Sequence, residues 1–273
     1  MKKQNTSGTI NYLPTLSGTI DYPLTNDYMF RSVMQSNKNV LKELLCSLLH
    51  LNSNDIHSVE ILNPIELGKT IEDKDFYLDI KILMNNNTVI NLEMQLHNKY
   101  NWSDRSLIYL CRLFDNLNSG DDYKGTKPAF QIGILNFSPF PEHPEFYATY
   151  KLMNQKSYYK YSDKFTIHVL DLTQIHLAAD EDKNSGLDNW AKLFKAKTWE
   201  DFQMISADNK NMQEAGETLY ILSKEEQIRY QCEAREDYRR TWNTVKSQFE
   251  EYQSTIAELE ATIARLQAEL QQK

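Results

Sequence analysis

Three consecutive asparagines, Asn85-Asn86-Asn87, separate two apolar-rich runs at residues 76–84 and 88–96. Asparagine tolerates the left-handed backbone that tight turns require, so the pattern predicts a β-hairpin. Side chains alternate faces along a strand, which groups Asp79 with Lys81, and Glu93 with Gln95 and His97. With the turn centred on Asn86, Asp79 stands seven residues before it and Glu93 seven after. The two acids then face each other, with Cβ atoms about 5 Å apart. Carboxylates that close raise each other's pKa and cost stability unless a cation lies between them. A solvated strand face whose acids merely align is the competing reading. The run Ile90-Asn91-Leu92-Glu93-Met94-Gln95-Leu96 weighs against it, because an acid inside an apolar strand points to a buried or cleft position. A divalent ion of the Mg²⁺ kind takes one or two carboxylates and completes its shell with water and phosphate oxygens. It also lowers the pKa of bound water and stabilises charge on a phosphodiester under attack. Gln95 would project to the same side and orient the water or a phosphate oxygen.

The rest of the chain supplies a scaffold for this hairpin. Residues 1–22 are polar and turn-rich, with Ser-Gly-Thr-Ile at 7–10 and again at 17–20, and read as a flexible arm. Thr25 or Asn26 can cap a first helix. Val40, Leu41, Leu44, Leu45, Leu48 and Leu49 form one apolar stripe of a second. Residues 56–62 read as a strand ended by Asn63-Pro64. Ser103 is expected to cap a helix carrying Leu107, Leu110, Phe114 and Leu117. Strands follow at 129–137 and, in two runs, within 146–172, and Trp190, Leu193 and Phe194 mark a further helix. Helix, three strands, helix and strand in that order imply a mixed sheet with helices on its faces. From about 217 the chain reads as helix to its end. Trp242, Phe249, Ile256, Ile263 and Leu270 recur every seven residues, with Val245, Tyr252, Leu259 and Leu266 three residues after the first four. This is an a/d coiled-coil phase, and Ile at a with Leu at d in the last heptads favours a parallel two-stranded coil. The expected organisation is an arm at 1–22, a catalytic-type domain at 23–215, a helical extension at 216–240 and a coiled coil at 241–273.

Composition narrows the function classes. A net charge of −8 gives no bulk support for nucleic-acid binding, although charge can be segregated over a surface. Cys46, Cys111 and Cys232 are odd in number and widely spaced, which argues against a disulfide framework and a zinc site and for a reducing cytoplasm. No apolar run reaches the length of a membrane span, and the two N-terminal lysines precede no apolar stretch of a secretory signal.

The segment Tyr77-Leu78-Asp79-Ile80, the asparagine turn and Asn91-Leu92-Glu93-Met94-Gln95 resemble the PD-(D/E)XK nuclease superfamily, in particular its recombination-promoting nuclease or transposase branch. Asn26-Asp27-Tyr28-Met29-Phe30-Arg31 resembles that branch's first-helix motif. Trp102, Arg105, Tyr109, Gly120 and Tyr123 resemble its helix after the hairpin, and Asp163 with residues 165–172 its later strand. The resemblance spans roughly residues 20–240. It implies an α/β, restriction-endonuclease-like mixed sheet flanked by helices, followed here by the coiled-coil helix. It further implies Asp79 and Glu93 as ligands of Mg²⁺, or Mn²⁺ in its place, and cleavage of DNA in support of recombination. The Met94 backbone carbonyl would complete the metal site and Gln95 would position water. The superfamily's usual lysine is absent, since position 95 holds a neutral amide, and high turnover is not expected.

Three further residues carry both a functional and a structural reading. Asp27 either joins the metal site or is an acid favoured by the helix dipole. Lys81 either contacts phosphate or is an exposed strand lysine. Arg105 either reaches phosphate or pairs with Asp104 or a neighbouring helix. The heptads mark either a long helix folded back on the domain or self-association, which would give a homodimer and set two hairpin sites near one another, as suits cutting both DNA strands. The alternative to an endonuclease is a catalytically degenerate DNA-binding or oligomerising scaffold of the same fold.

Overall fold

In the computed structural model, residues 13–65, 79–98 and 100–271 are described. The expected start of the arm and residues 76–78 of the first hairpin strand lie outside them. Two helices open the fold, α1 (Asp27–Ser36) and α2 (Lys38–Leu49). Asn26 caps α1, its side chain accepting from the Met29 N–H at 3.1 Å. Asn37 caps α2 by accepting from Asn39 and Val40, which satisfies donors a helix start leaves orphaned. Strands β1 (Val59–Ile61), β2 (Ile80–Met84) and β3 (Thr88–Gln95) follow, then α3 (Trp102–Phe114) and strands β4 (Ala129–Leu135), β5 (Tyr147–Lys151) and β6 (Phe165–Asp171). The remainder is helical: α4 (Asp180–Asn184), α5 (Leu187–Lys195), α6 (Trp199–Ser206), α7 (Lys210–Ser223) and α8 (Glu226–Gln271).

The six strands form one mixed sheet in the order β1-β2-β3-β4-β6-β5. Strand β3 pairs antiparallel with β2 and parallel with β4, and β4 pairs parallel with β6. This α/β sheet flanked by helices fits the restriction-endonuclease-like class. The hairpin forms at the asparagines: Met84 pairs with Thr88, and Asn85 and Asn86 take φ of 51° and 59°. The Asn85 side chain fastens the turn to the approach of β1, accepting from His57 and Ser58 and donating to the Asp55 carbonyl.

Strand β3 is buried on both faces, as a strand next to a parallel neighbour should be. Ile80, Ile82, Ile90, Leu92, Ile132 and Ile134 line one face and share an apolar cluster with α1, α2 and α5. The other face lies under α3. There Leu110 and Leu113 pack on Val89 and Ala129, and Trp102 packs with Leu135, Ala148 and Val169. The helix therefore begins at Trp102, one residue before the expected cap Ser103, and buries Trp102, Ser106, Leu110 and Leu113. Leu107 is exposed and Leu117 lies beyond the helix end. Both stripes satisfy helical spacing and share Leu110; the small Ser106 hides the true one from an apolar count.

Residues 13–22, expected within the arm, are built into the fold. Leu13 and Ile20 are buried. Ile20 donates to the Lys197 carbonyl, Trp199 donates to the Gly18 carbonyl, and Gln203 holds the Leu13 and Leu16 carbonyls. The chain divides into two compact units between Cys232 and Glu233, inside the expected helical extension. Among the described residues no helix is long and apolar enough to cross a membrane.

Gly133 shows how tightly α3 sits on the sheet. A Cβ added there would lie 2.1 Å from Trp102 Cη2 and 2.5 Å from Cζ2. Gly133→Ala is expected to destabilise the protein by about 2–3 kcal/mol in urea unfolding, through displacement of the indole. Shortening residue 102 in the same variant, as Trp102→Leu, should restore part of that loss beyond the additive expectation. Additive losses would show that the indole is not seated on β4.

Candidate active site

The face of the sheet beneath α3 carries a polar cluster within an apolar surround. Glu93 stands near the end of β3 and is 3% exposed. Its Oε2 accepts from Arg105 Nη2 at 3.1 Å and from Gln95 Nε2 at 3.4 Å. Its Oε1 accepts from Gln131 Nε2 at 3.0 Å, and Gln131 Oε1 accepts from Asn91 Nδ2 at 3.0 Å. Asn91 and Glu93 are two residues apart on one face of β3, and in register they pair with Gln131 and Gly133 of β4. The alternation that groups Glu93 with Gln95 thus brings in two amides from the same sheet face.

Asp79 immediately precedes β2. The ladder pairs Ile80 with Leu92 and Lys81 with Asn91, so continuing it by one residue sets Asp79 opposite Glu93. Asp79 Oδ1 is buried and has no hydrogen-bond partner. Its backbone carbonyl is clamped by Arg31 Nη1 and by Asn63 Nδ2. Arg31 itself is fully buried, and its other terminal nitrogen donates to the Asn63 carbonyl. Desolvation lowers the Arg31 pKa to about 10 against the opposing pull of Asp79, so the guanidinium stays charged at neutral pH.

Burial governs both acids. Glu93 is pushed up to about 7 by desolvation; Arg105 opposes the rise, and the Asp79 charge adds to it. Asp79 is raised by desolvation against its own backbone N–H, Arg31, Arg105 and Asn91. Two raised carboxyls that feel each other, one with an orphaned oxygen, form a site that a cation would relieve. Among the described residues no three His, Cys, Asp or Glu side chains cluster to hold a metal. Two carboxylates with amide neighbours suit a hard, water-retaining ion such as Mg²⁺ rather than zinc. The Gln95 carbonyl accepts from the Asn136 N–H on the β4 side. Strand alternation therefore turns the Met94 carbonyl toward the β2 side, where Asp79 lies.

The other sequence candidates fall in different places. Arg105 pairs with neither Asp104 nor a neighbouring helix. It rises from the first turn of α3 onto Glu93, stacked over the Tyr109 ring at 4.7 Å. Lys81 is exposed, with its backbone N–H held by Asn63 Oδ1. Asp27 opens α1 one turn before Arg31, and its Oδ1 accepts from the Tyr28 N–H at 2.9 Å. Gln131, Asn91, Asn63 and the clamp by Arg31 escaped sequence reasoning. For Gln131 and Asn91 the signal was present, since each is a polar residue inside an apolar strand, as Glu93 is.

A raised native pKa means that folded Glu93 keeps its proton where the unfolded chain, at its ordinary value of 4.5, has lost it. Stability is therefore fully present below pH 4.5 and falls as pH rises toward about 7. The slope approaches 1.4 kcal/mol per pH unit for one group. Metal-free protein unfolded in urea across this range should show the decline, and Glu93→Gln should remove most of it. An unchanged slope in the variant would assign the titration to another group.

Residues 24–248 match the family model of the PD-(D/E)XK nuclease family transposase. No curated protein and no solved structure matches the chain. The matched span takes in the asparagine hairpin, the Asp79 and Glu93 face, α3 with Arg105, and the parallel β4–β6 pair that supplies Gln131. With the mixed sheet and this face in place, the chain belongs to the PD-(D/E)XK nuclease family transposases.

Proposed function

We propose that the protein is a metal-dependent endonuclease that hydrolyses phosphodiester bonds of DNA during recombination or transposition. The observation that carries this reading is the pairing of Asp79, with one buried oxygen unpartnered, and Glu93, whose Oε1 is already committed to Gln131. Asp79 Oδ1, Glu93 Oε2 and the Met94 carbonyl would hold Mg²⁺, or Mn²⁺ in its place. Bound there, the ion would lower the pKa of the attacking water and stabilise charge on the phosphate. Gln95 would orient the water but supplies no positive charge. Among the described residues the cation that pairs with Glu93 is the Arg105 guanidinium. On this reading the Arg105 guanidinium, beside Glu93 Oε2, would also be placed to face a bound phosphate. Water attacks phosphorus as the bond to the leaving sugar oxygen breaks, and the leaving oxygen takes up a proton.

A second reading, a degenerate DNA-binding or scaffolding member of the family, is favoured by Gln95, by the net charge of −8 and by Arg105 resting on Glu93. We further propose a homodimer formed through the heptads of α8, and a reducing cytoplasmic setting in keeping with three cysteines that form no disulfide.

Plasmid nicking with Mg²⁺ should be lost in Asp79→Ala, with circular dichroism and unfolding midpoint close to those of the parent. Cleavage by that variant at the parental rate would end the assignment. Absence of nicking by the parent with both Mg²⁺ and Mn²⁺, alongside DNA binding, would favour the degenerate reading. Gln131→Leu, which frees Glu93 Oε1 from its amide, should weaken Mn²⁺ binding by about 10- to 100-fold in calorimetry. Unchanged affinity would mean that Gln131 does not orient the ligand.

A further inference from the structure

The second compact unit contains the part of α8 from residue 233 onward, and its a/d residues from Val245 to Leu270 lie open along one face. Their exposure runs from 48% at Leu266 to 73% at Leu270, with Phe249 at 57% and Tyr252 at 66%. An unbroken heptad phase of this length with its seam exposed calls for a second strand. Which way that strand runs is decided by what each layer would hold and by what flanks the seam.

The two halves of the seam differ. Trp242, Phe249 and Tyr252 make the first half bulky, whereas Ile256, Leu259, Ile263 and Leu266 make the second aliphatic. In a parallel pair each residue meets its own copy. Phe249 would then lie on Phe249 and Tyr252 on Tyr252, in layers far thicker than those made by isoleucine and leucine below. Close packing at one interaxial distance disfavours such a mismatch. Run antiparallel about Ser254, the same seam evens out. Phe249 faces the partner's Leu259, and Tyr252 faces the partner's Ile256. Val245 meets the partner's Ile263, and Trp242 the partner's Leu266. Sliding this register by one heptad either brings Phe249 onto the partner's Tyr252 or removes Trp242 from an aliphatic layer.

The flanking charges choose the same arrangement. Lys246 and Glu260 both occupy e positions. In a parallel coil they face the g residues Thr241 and Thr255, so neither meets an opposite charge across the seam, and Lys246 keeps only Glu250 of its own helix at 3.6 Å. In the antiparallel register e meets e: Lys246 lies beside the partner's Glu260, twice over by symmetry, and Gln253 meets the partner's Gln253 at the centre. The preference of Ile at a and Leu at d for parallel dimers applies to only two of the heptads, those at 256–259 and 263–266. The aromatic half does not share it.

From these layers and charges we infer that residues 242–266 form an antiparallel two-stranded coiled coil with a second copy of this chain, centred on Ser254. The inference rests on the self-association proposed above and adds its direction. The two chains then enter the coil from opposite ends, about 35 Å apart along its axis.

The test uses the full chain with Ala268→Cys as the spin-label site and Cys111→Ser to remove the exposed native thiol. Label-to-label distances near 40 Å are expected for the antiparallel coil. A distance within about 20 Å means parallel strands and overturns the inference while leaving the dimer standing. A monomer by light scattering at micromolar concentration overturns the self-association as well, and nicking activity then judges the nuclease reading separately. As a second measurement, Lys246→Glu should weaken dimerisation by about tenfold. Adding Glu260→Lys should restore it. Dimer affinity that ignores both substitutions contradicts the register.

Discussion

A carboxylate held at 3% exposure inside an apolar strand pays for its desolvation, and the surroundings of Glu93 are organised around that cost. An isolated buried charge is disfavoured by several kcal/mol, so such groups persist neutral, paired or bound to a cation. Here the compensation is partial. Arg105 and Gln95 meet one oxygen and Gln131 the other, yet the pKa still climbs to about 7, partly because Asp79 lies opposite. Partial compensation distinguishes a site from a structural ion pair. A fully satisfied carboxylate would have no use for a metal, and a wholly unsatisfied one would not fold in place.

The two acids are positioned by different means, and the difference matters for how rigid each is. Glu93 belongs to a strand paired in register with β4, and Gln131 ties its side chain across that ladder. Asp79 comes just before the first residue of β2, at the edge of the described segment. What fixes it is its backbone: Arg31 and Asn63 both hold its carbonyl oxygen. Arg31 is an expensive device, a buried guanidinium drawn from α1, and its placement links the first helix to the acid without any contact from the Asp27 carboxylate being invoked.

The hairpin was legible because its information is local. Asparagine permits the positive φ seen at Asn85 and Asn86, and period-two alternation then sets Asp79 against Glu93. The partners of Glu93 were less legible because they come from elsewhere in the chain. Arg105 arrives from a helix whose buried stripe, Trp102, Ser106, Leu110 and Leu113, differs from the one apolar counting selects. Gln131 and Asn91 could have been found by the test applied to Glu93, polarity within an apolar strand. Residues 13–22 read as an arm because the surrounding Pro, Ser, Gly and Thr signal turns and outweigh Leu13, Leu16 and Ile20, and only the docking of the segment near α6 and α7 reveals its role.

Helix α3 joins these strands of argument. Gly133 is the in-register partner of Glu93, and Trp102 lies on Gly133 where no Cβ would fit. A glycine mid-strand marks close approach of another group. The approach it permits brings the first turn of α3 down onto β4 beside the acid. Arg105, three residues after Trp102, is thereby delivered to within 3.1 Å of Glu93. The absence of a methyl group on one strand thus sets the height of a helix, and the height of that helix sets the charge balance of the carboxylate on the next strand. Displacing the indole would move Arg105 with it, so packing at Gly133 and ionisation at Glu93 are one mechanical unit.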